Sequence, residues 1–144
     1  MTKVLDGTVA LVTGASSGIG AATATALAAQ GAAVALAARR KDRLDQLAAS
    51  IADEGGTALV LEADITDETQ AAQAVARTVA ELGRLDTLIN NAGVMLLGPA
   101  ADAPLAEWQR MEAGDIADAI SYIVTRPRHV AVNELLIRPT EQER

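Results

Sequence analysis

From residue 13 to residue 20 the chain reads Thr-Gly-Ala-Ser-Ser-Gly-Ile-Gly, with Gly14, Gly18 and Gly20 at the spacing G-x-x-x-G-x-G. Glycine permits a tight, partly left-handed backbone and lets a bound group come close to it. The apolar run Val9 to Val12 leads into this turn and an alanine-rich helical stretch leaves it. The free N–H groups of a helix N-terminus would therefore face whatever sits there. An anionic diphosphate is the natural occupant, and the pattern is a variant of the dinucleotide fingerprint. The same glycines would equally serve an ordinary strand-to-helix turn that only packs tightly.

A second constellation follows at Arg39 and Arg40, directly after Ala38. A chain selecting NAD would carry a carboxylate here to accept the ribose 2′-hydroxyl, whereas two guanidinium forks suit a 2′-phosphate. NADP is thus the expected cofactor, with NAD less favoured. The alternative is a solvated basic cluster running into Lys41 and Arg43.

Other reactive side chains carry less. Tyr122 stands beside Ser121 in a helical stretch flanked by Ile120 and Ile123, which points to helix surface or packing. His129 is the only histidine and has no second ligand or acid at a useful spacing, so a structural role is expected. Trp108 is expected in or over a core. No carboxylates pair at a metal-ligand spacing, and no metal is predicted.

The elements that must position these residues alternate. Val9 to Val12 reads as a strand, about 19–30 as a helix closed by Gly31, and Ala33 to Ala38 as a buried strand. Leu44, Leu47 and Ile51 mark a second helix that stops at Gly55-Gly56 before a strand from Ala58 to Leu61. Thr66 can cap a third helix with Asp67 and Glu68 in its first turn, Val75, Val79 and Leu82 on its core stripe, and Gly83 at its end. Thr87 to Asn90 is the fourth strand. Pro104 suits the start of a short helix reaching about Met111. Asp115 opens a last helix with an apolar face of Ile116, Ala119, Ile120, Ile123 and Val124, and Val130 to Ile137 is the final strand. The expected fold is α/β, a doubly wound parallel sheet of about five strands with ligands at the strands' carboxyl ends. One domain is expected over 1–144, with a nucleotide half in 1–111, a carboxyl-terminal helix and strand in 115–144, and a frayed polar tail from Thr140.

Bulk properties narrow the partners. Half the 144 residues are hydrophobic and 22% charged, which fits a folded, helix-rich domain. A formal net charge of −7 disfavours nucleic acid, whose phosphates are met with basic faces. There is no cysteine, hence no disulfide or thiolate metal site. With no secretory pattern at the start and no long apolar run, a cytoplasmic protein without membrane attachment is expected.

The run TGASSGIG, then ARRKDRL at 38–44, DITD at 64–67 and NNAG at 90–93, in this order and on these elements, resembles the short-chain dehydrogenase/reductase family. The tail VNELLIRPTEQ resembles the last strand of one subgroup. The resemblance implies a Rossmann-like fold and nicotinamide coenzyme contacts from Gly14, Ser16, Ser17, Gly18, Ile19 and Gly20. It implies that Asp64 bonds the adenine amino group with the Ile65 backbone beside it, although Asp64 would equally serve as a loop acid near a helix cap. It sets Asn90, Ala92 and Gly93 along the cofactor ribose and gives Asn91 to the sheet; an asparagine pair before glycine is also good turn chemistry.

Family members are longer, and Met111-Glu112-Ala113-Gly114 reads as a splice. The family's acid is a tyrosine acidified by a lysine four residues later. The only tyrosine here is Tyr122, its i+4 neighbour is Arg126, and the only lysines are Lys3 and Lys41. No catalytic residue is assigned. The expected function is an NADP(H)-binding domain lacking the Ser/Tyr/Lys segment, inactive or nearly so. Two alternatives stand beside it: an NADP-dependent oxidoreductase acting on a carbonyl or secondary alcohol, if these residues belong to a longer chain, and an engineered or relic scaffold that binds no cofactor. A final strand without its usual neighbour would invite homo-oligomerisation.

Overall fold

In the computed structural model, residues 3–93, 112–135 and 137 are described. The order is β1 (Val9–Thr13), α1 (Gly18–Ala29), β2 (Ala33–Ala38), α2 (Lys41–Asp53), β3 (Thr57–Glu62), α3 (Glu68–Leu82), β4 (Thr87–Ile89) and α4 (Ala113–Val124). Alternation of short apolar runs with helices forces crossovers, so the strands pair in parallel in the order β3-β2-β1-β4. Val12 lies beside Leu36 on one side and Ile89 on the other, which brings the carboxyl ends of β1, β2 and β4 to one rim.

Side chains alternate across each strand. Ala10, Val12, Val34 and Leu36 turn to one face, where Ala24 and Leu27 of α1, Leu44 and Ile51 of α2, and Val124 of α4 cover them. Leu11, Ala35, Ala37 and Leu61 turn to the other, against Ala74 and Leu82 of α3. Helices thus flank both faces, as expected of a doubly wound sheet. Buried positions on α1 are Gly20, Thr23, Ala24, Leu27 and Ala28, a stripe of mostly small residues along which α4 also packs.

Several sequence expectations are corrected. The sheet has four strands among the described residues, not about five. Val130 to Leu135 forms no strand, because a two-residue period is local whereas a strand exists only through a paired edge. The core stripe of α3 is Ala74, Thr78 and Leu82, rotated by one position; Val75 and Val79 are 38% and 44% exposed. Small residues let α3 approach the alanine-rich sheet, and the Thr78 hydroxyl is satisfied by the Ala74 carbonyl at 2.7 Å. The cap of α3 is Asp67, whose carboxylate accepts from the Gln70 N–H at 2.9 Å, not Thr66. Helix α4 starts at Ala113, two residues before Asp115. Asp115 instead sits in the first turn and accepts from the Glu112 N–H at 2.9 Å. Its most buried residues are Ala117 and Ser121, with Ile123 36% exposed, since small residues meet α1. The expected helix from Pro104 and Trp108 lie outside the described residues.

Asp86 fastens the start of β1 to the entry of β4. Its carboxylate accepts from the Val9 N–H at 2.9 Å and from the Arg84 guanidinium at 2.6 Å. The Arg84 bond first, and the Val9 amide next, hold the Asp86 carboxyl below the usual carboxylate range. A depressed folded-state pKa contributes stability that is present above the unfolded value, near ~3.9, and is lost as pH falls through the folded one. Asp86→Ala is therefore expected to cost about 1–2 kcal/mol near pH 7, by urea denaturation, with the difference from the parent shrinking toward about pH 2.

Candidate functional site

The turn after β1 is built by its glycines. Gly14 and Gly18 have φ of 65° and 57°, in the left-handed region. Ser17 caps α1 in an extended conformation without a side-chain cap bond, leaving the first N–H groups of the helix to an outside partner. Gly20 is a packing residue: a Cβ there would collide with the Gly14 carbonyl oxygen and stand 2.6 Å from Asn91 Nδ2. Helix α1 therefore sits directly against the turn.

The end of β4 is stitched to this turn through Thr13. The Thr13 hydroxyl donates to the Ile89 carbonyl at 3.2 Å and accepts from the Asn91 and Ala92 N–H groups, both at 3.0 Å. Asn91 Nδ2 in turn donates to the Thr13 carbonyl at 3.2 Å and the Gly14 carbonyl at 3.4 Å. Asn91 holds the sheet together, as its position in the resemblance implied.

Arg39 and Arg40, both exposed, follow β2 on the same rim. Arg40 Nη2 donates to the Ser16 and Ser17 hydroxyls at 3.3 and 3.1 Å, so its guanidinium reaches over the glycine turn. Past β3, Asp64 Oδ1 accepts from the Thr66 hydroxyl at 2.7 Å and the Thr66 N–H at 3.0 Å, while the Asp64 N–H donates to Gln70 Oε1. The Thr66 hydroxyl, then the Thr66 amide and more weakly the Arg39 charge, lower the Asp64 pKa. Asp64 is thereby a fixed, ionised acceptor at the cleft wall. Ile65 is half-buried against the α3 side of the core.

Ten of the expected residues line one open cleft of about 1010 Å³: Gly14, Ser16, Ser17, Ile19, Arg39, Arg40, Asp64, Ile65, Ala92 and Gly93. Three others do not. Gly18 shapes the backbone, Gly20 packs, and Asn90 lies exposed at the end of β4 away from the lining. Ala38, Ala63, Thr66 and Asn91 complete the cleft. Thr66 was missed as a wall residue although an acid followed two residues later by a hydroxyl is a turn signal. The other expected features lie apart: Tyr122 is 51% exposed with the Arg126 guanidinium 4.0 Å over its ring, and His129 is exposed. Among the described residues no group of three His, Cys, Asp or Glu could hold a metal, and no helix is long and apolar enough to cross a membrane.

The arrangement offers a helix N-terminus and two hydroxyls for a diphosphate, two guanidinium groups for a further phosphate, and an apolar-sided slot with one carboxylate for a planar polar ring. It resembles known proteins along most of the described chain. The short chain dehydrogenase family profile matches residues 8–121. A glycine betaine reductase of Emericella nidulans is 47% identical over 106 residues, covering 74% of this chain and 8% of that protein. A short chain dehydrogenase of Pseudocercospora fijiensis is 48% identical over 100 residues, covering 69% of this chain and 32% of that one. Among solved structures, a metagenomic short-chain oxidoreductase in complex with NADP superposes with a TM-score of 0.82 at 25% identity, covering 95% of this chain and 99% of the other. The chain thus spans less than half the length of these two curated relatives. The fingerprint turn, the four-stranded parallel sheet and the extent of the match agree: this chain belongs to the short-chain dehydrogenase family.

Proposed function

We propose that this chain is an NADP(H)-binding Rossmann unit that holds coenzyme without carrying out family chemistry. The observation that carries the reading is the meeting of the glycine turn, Arg39, Arg40 and Asp64 in one cleft. The fit is specific in one respect. A Cβ on Gly14 would stand 3.0 Å from the Ala92 Cα, so the bare backbone lets the turn close on the end of β4, while the α1 N-terminus, with no side-chain cap bond, is left open to a diphosphate. Bound coenzyme would supply a hydride; Ser16, Ser17 and the α1 N-terminus would hold its diphosphate, Arg39 and Arg40 a 2′-phosphate, and Asp64 the adenine edge. The complex of the metagenomic relative with NADP supports the choice of coenzyme. Within these 144 residues no lysine follows the sole tyrosine at i+4, so no Tyr-x-x-x-Lys pair accompanies the cleft. A loss of about 10²–10⁴-fold or more in turnover is expected from that alone.

Calorimetric titration tests the reading: NADPH is expected to saturate the chain at least about tenfold more tightly than NADH. No heat from either coenzyme would reject it in favour of an empty scaffold. A second reading draws on the relatives' greater length. If the molecule's intact mass exceeds 14.8 kDa, the rest of it can complete an NADP-dependent oxidoreductase of carbonyls or secondary alcohols. A cytoplasmic location belongs to either reading, supported by the lack of cysteine.

A further inference from the structure

We infer that α4 is a detachable cover on α1: it docks and leaves as one unit, and residues 3–93 keep their sheet and cleft while it is away. Helix α4 supplies its own ends. Asp115 closes the first turn by accepting from the Glu112 N–H, and in the last turn the Thr125 hydroxyl and Arg126 Nε donate to the Ser121 and Tyr122 carbonyls, both at 2.8 Å. Groups at the helix ends therefore find partners inside the same stretch. Across the seam with α1 the opposite holds. Among the described residues, no hydrogen bond or ion pair joins 112–135 to 3–93. The charge of Arg128 acts on Asp86, but from beyond ion-pair distance.

Packing is what remains, and it is thin. Of the twelve residues of α4 only Ala117 and Ser121 are buried, with Ile116, Ile120 and Val124 half-buried, whereas Leu44 and Ile51 anchor α2 with large, buried side chains. Hydrophobic stabilisation follows the apolar area removed from water, and small side chains remove little. Ser121 also opposes docking: among the described residues its buried hydroxyl has no partner, and neither has that of Thr23 on α1. Undocking returns Ser121 to water and breaks no bond between the two parts. Its cost thus lies below that of unfolding the sheet, which must also expose Leu11, Val12, Val34 and Leu36. Once free, a helix of twelve residues is marginal in water, so its amides lose protection as it leaves. The cleft keeps its walls, since its lining runs from Gly14 to Gly93 and takes no residue from α4.

Native-state hydrogen exchange followed by NMR on the 144-residue chain tests this. Amides from Ala117 to Val124 are expected to exchange about 10²-fold or more faster than those of β1 and β2, with one shared dependence on urea. Rates that match β1 and β2, or that grade residue by residue from the helix ends, overturn the inference. Two variants separate release from global unfolding. Ile51→Val, in the core beneath α2, should speed exchange of β1 and β2 by about 2–10-fold and leave α4 unchanged. An equal acceleration of α4 would show that it opens only with the whole domain, which overturns the inference. Ser121→Ala should slow exchange of α4 by about 2–5-fold. Faster exchange in that variant would mean that the hydroxyl holds a bond which release must break, and contradicts the inference.

Discussion

Replacing Arg39 and Arg40 together by alanine is expected to weaken NADPH binding by about 10²–10³-fold and NADH binding by less than about threefold. Hydrogen bonds to charged groups contribute about 1.5–3 kcal/mol each, and both guanidinium groups here are exposed, which favours the lower end of that range. The two contributions are unequal. Arg40 already donates to Ser16 and Ser17 and must give up those contacts to meet a phosphate, so Arg40→Ala alone should lose less affinity than Arg39→Ala. Raising the salt concentration should narrow the gap between NADPH and NADH in the parent chain and leave the double variant unchanged. Calorimetry checks all three statements. An equal loss for NADH and NADPH would mean that the pair supports the turn instead of reading a phosphate. Folding should be almost untouched, since neither side chain is buried.

Gly20→Ala is expected to destabilise the domain by about 2–4 kcal/mol, whereas Gly18→Ala costs roughly 1–2 kcal/mol. The reasons differ in kind. At Gly18 a methyl group has open space and the penalty is the left-handed φ of 57° alone. At Gly20 the φ is ordinary, but the methyl would enter the Gly14 carbonyl and press on Asn91 Nδ2 at 2.6 Å. Both neighbours are fixed, the first by the turn and the second by its bonds to Thr13 and Gly14, so α1 must move off the sheet to make room. For a domain of this size the melting temperature should fall by roughly 5–15 °C for Gly20→Ala, followed by circular dichroism. A melt within about 2 °C of the parent would show that the contact yields easily, and the close approach of α1 to the turn would have to be given up.

Much of this was readable before any coordinates. The strand Ala33–Ala38 has the expected limits, because it is a pure apolar run bounded by Gly31 and by charge. The glycine turn, Arg39, Arg40 and Asp64 converge as expected since all of them follow strands that end on one rim. Sequence failed where three-dimensional context decides between near-equivalent residues. Thr66 and Asp67 are both good caps; Asp64 captures Thr66 and leaves the helix to Asp67. Valines look like core, yet α3 turns Ala74 and Thr78 inward and leaves Val75 and Val79 on its open side, and α4 buries Ala117 and Ser121 most deeply. Gly20 carries no local mark that separates packing from ligand approach, and Asn90 and Asn91 are identical residues with opposite fates, one exposed and one braced into the sheet. The final strand failed for a plainer reason: pairing is a property of two segments, and periodicity describes only one.

The bonds that brace the rim have a kinetic meaning. Thr13 at the end of β1 joins Asn91 across 78 residues, so nothing local prefigures the seat. Closing a loop of that length precedes any reward from it, and non-local closure sets the pace in folds of this kind. The glycine turn can bend early, but its cleft closes only when the far strand arrives, so amides at this rim are expected to form late in refolding and to exchange before those of the β1–β2 core.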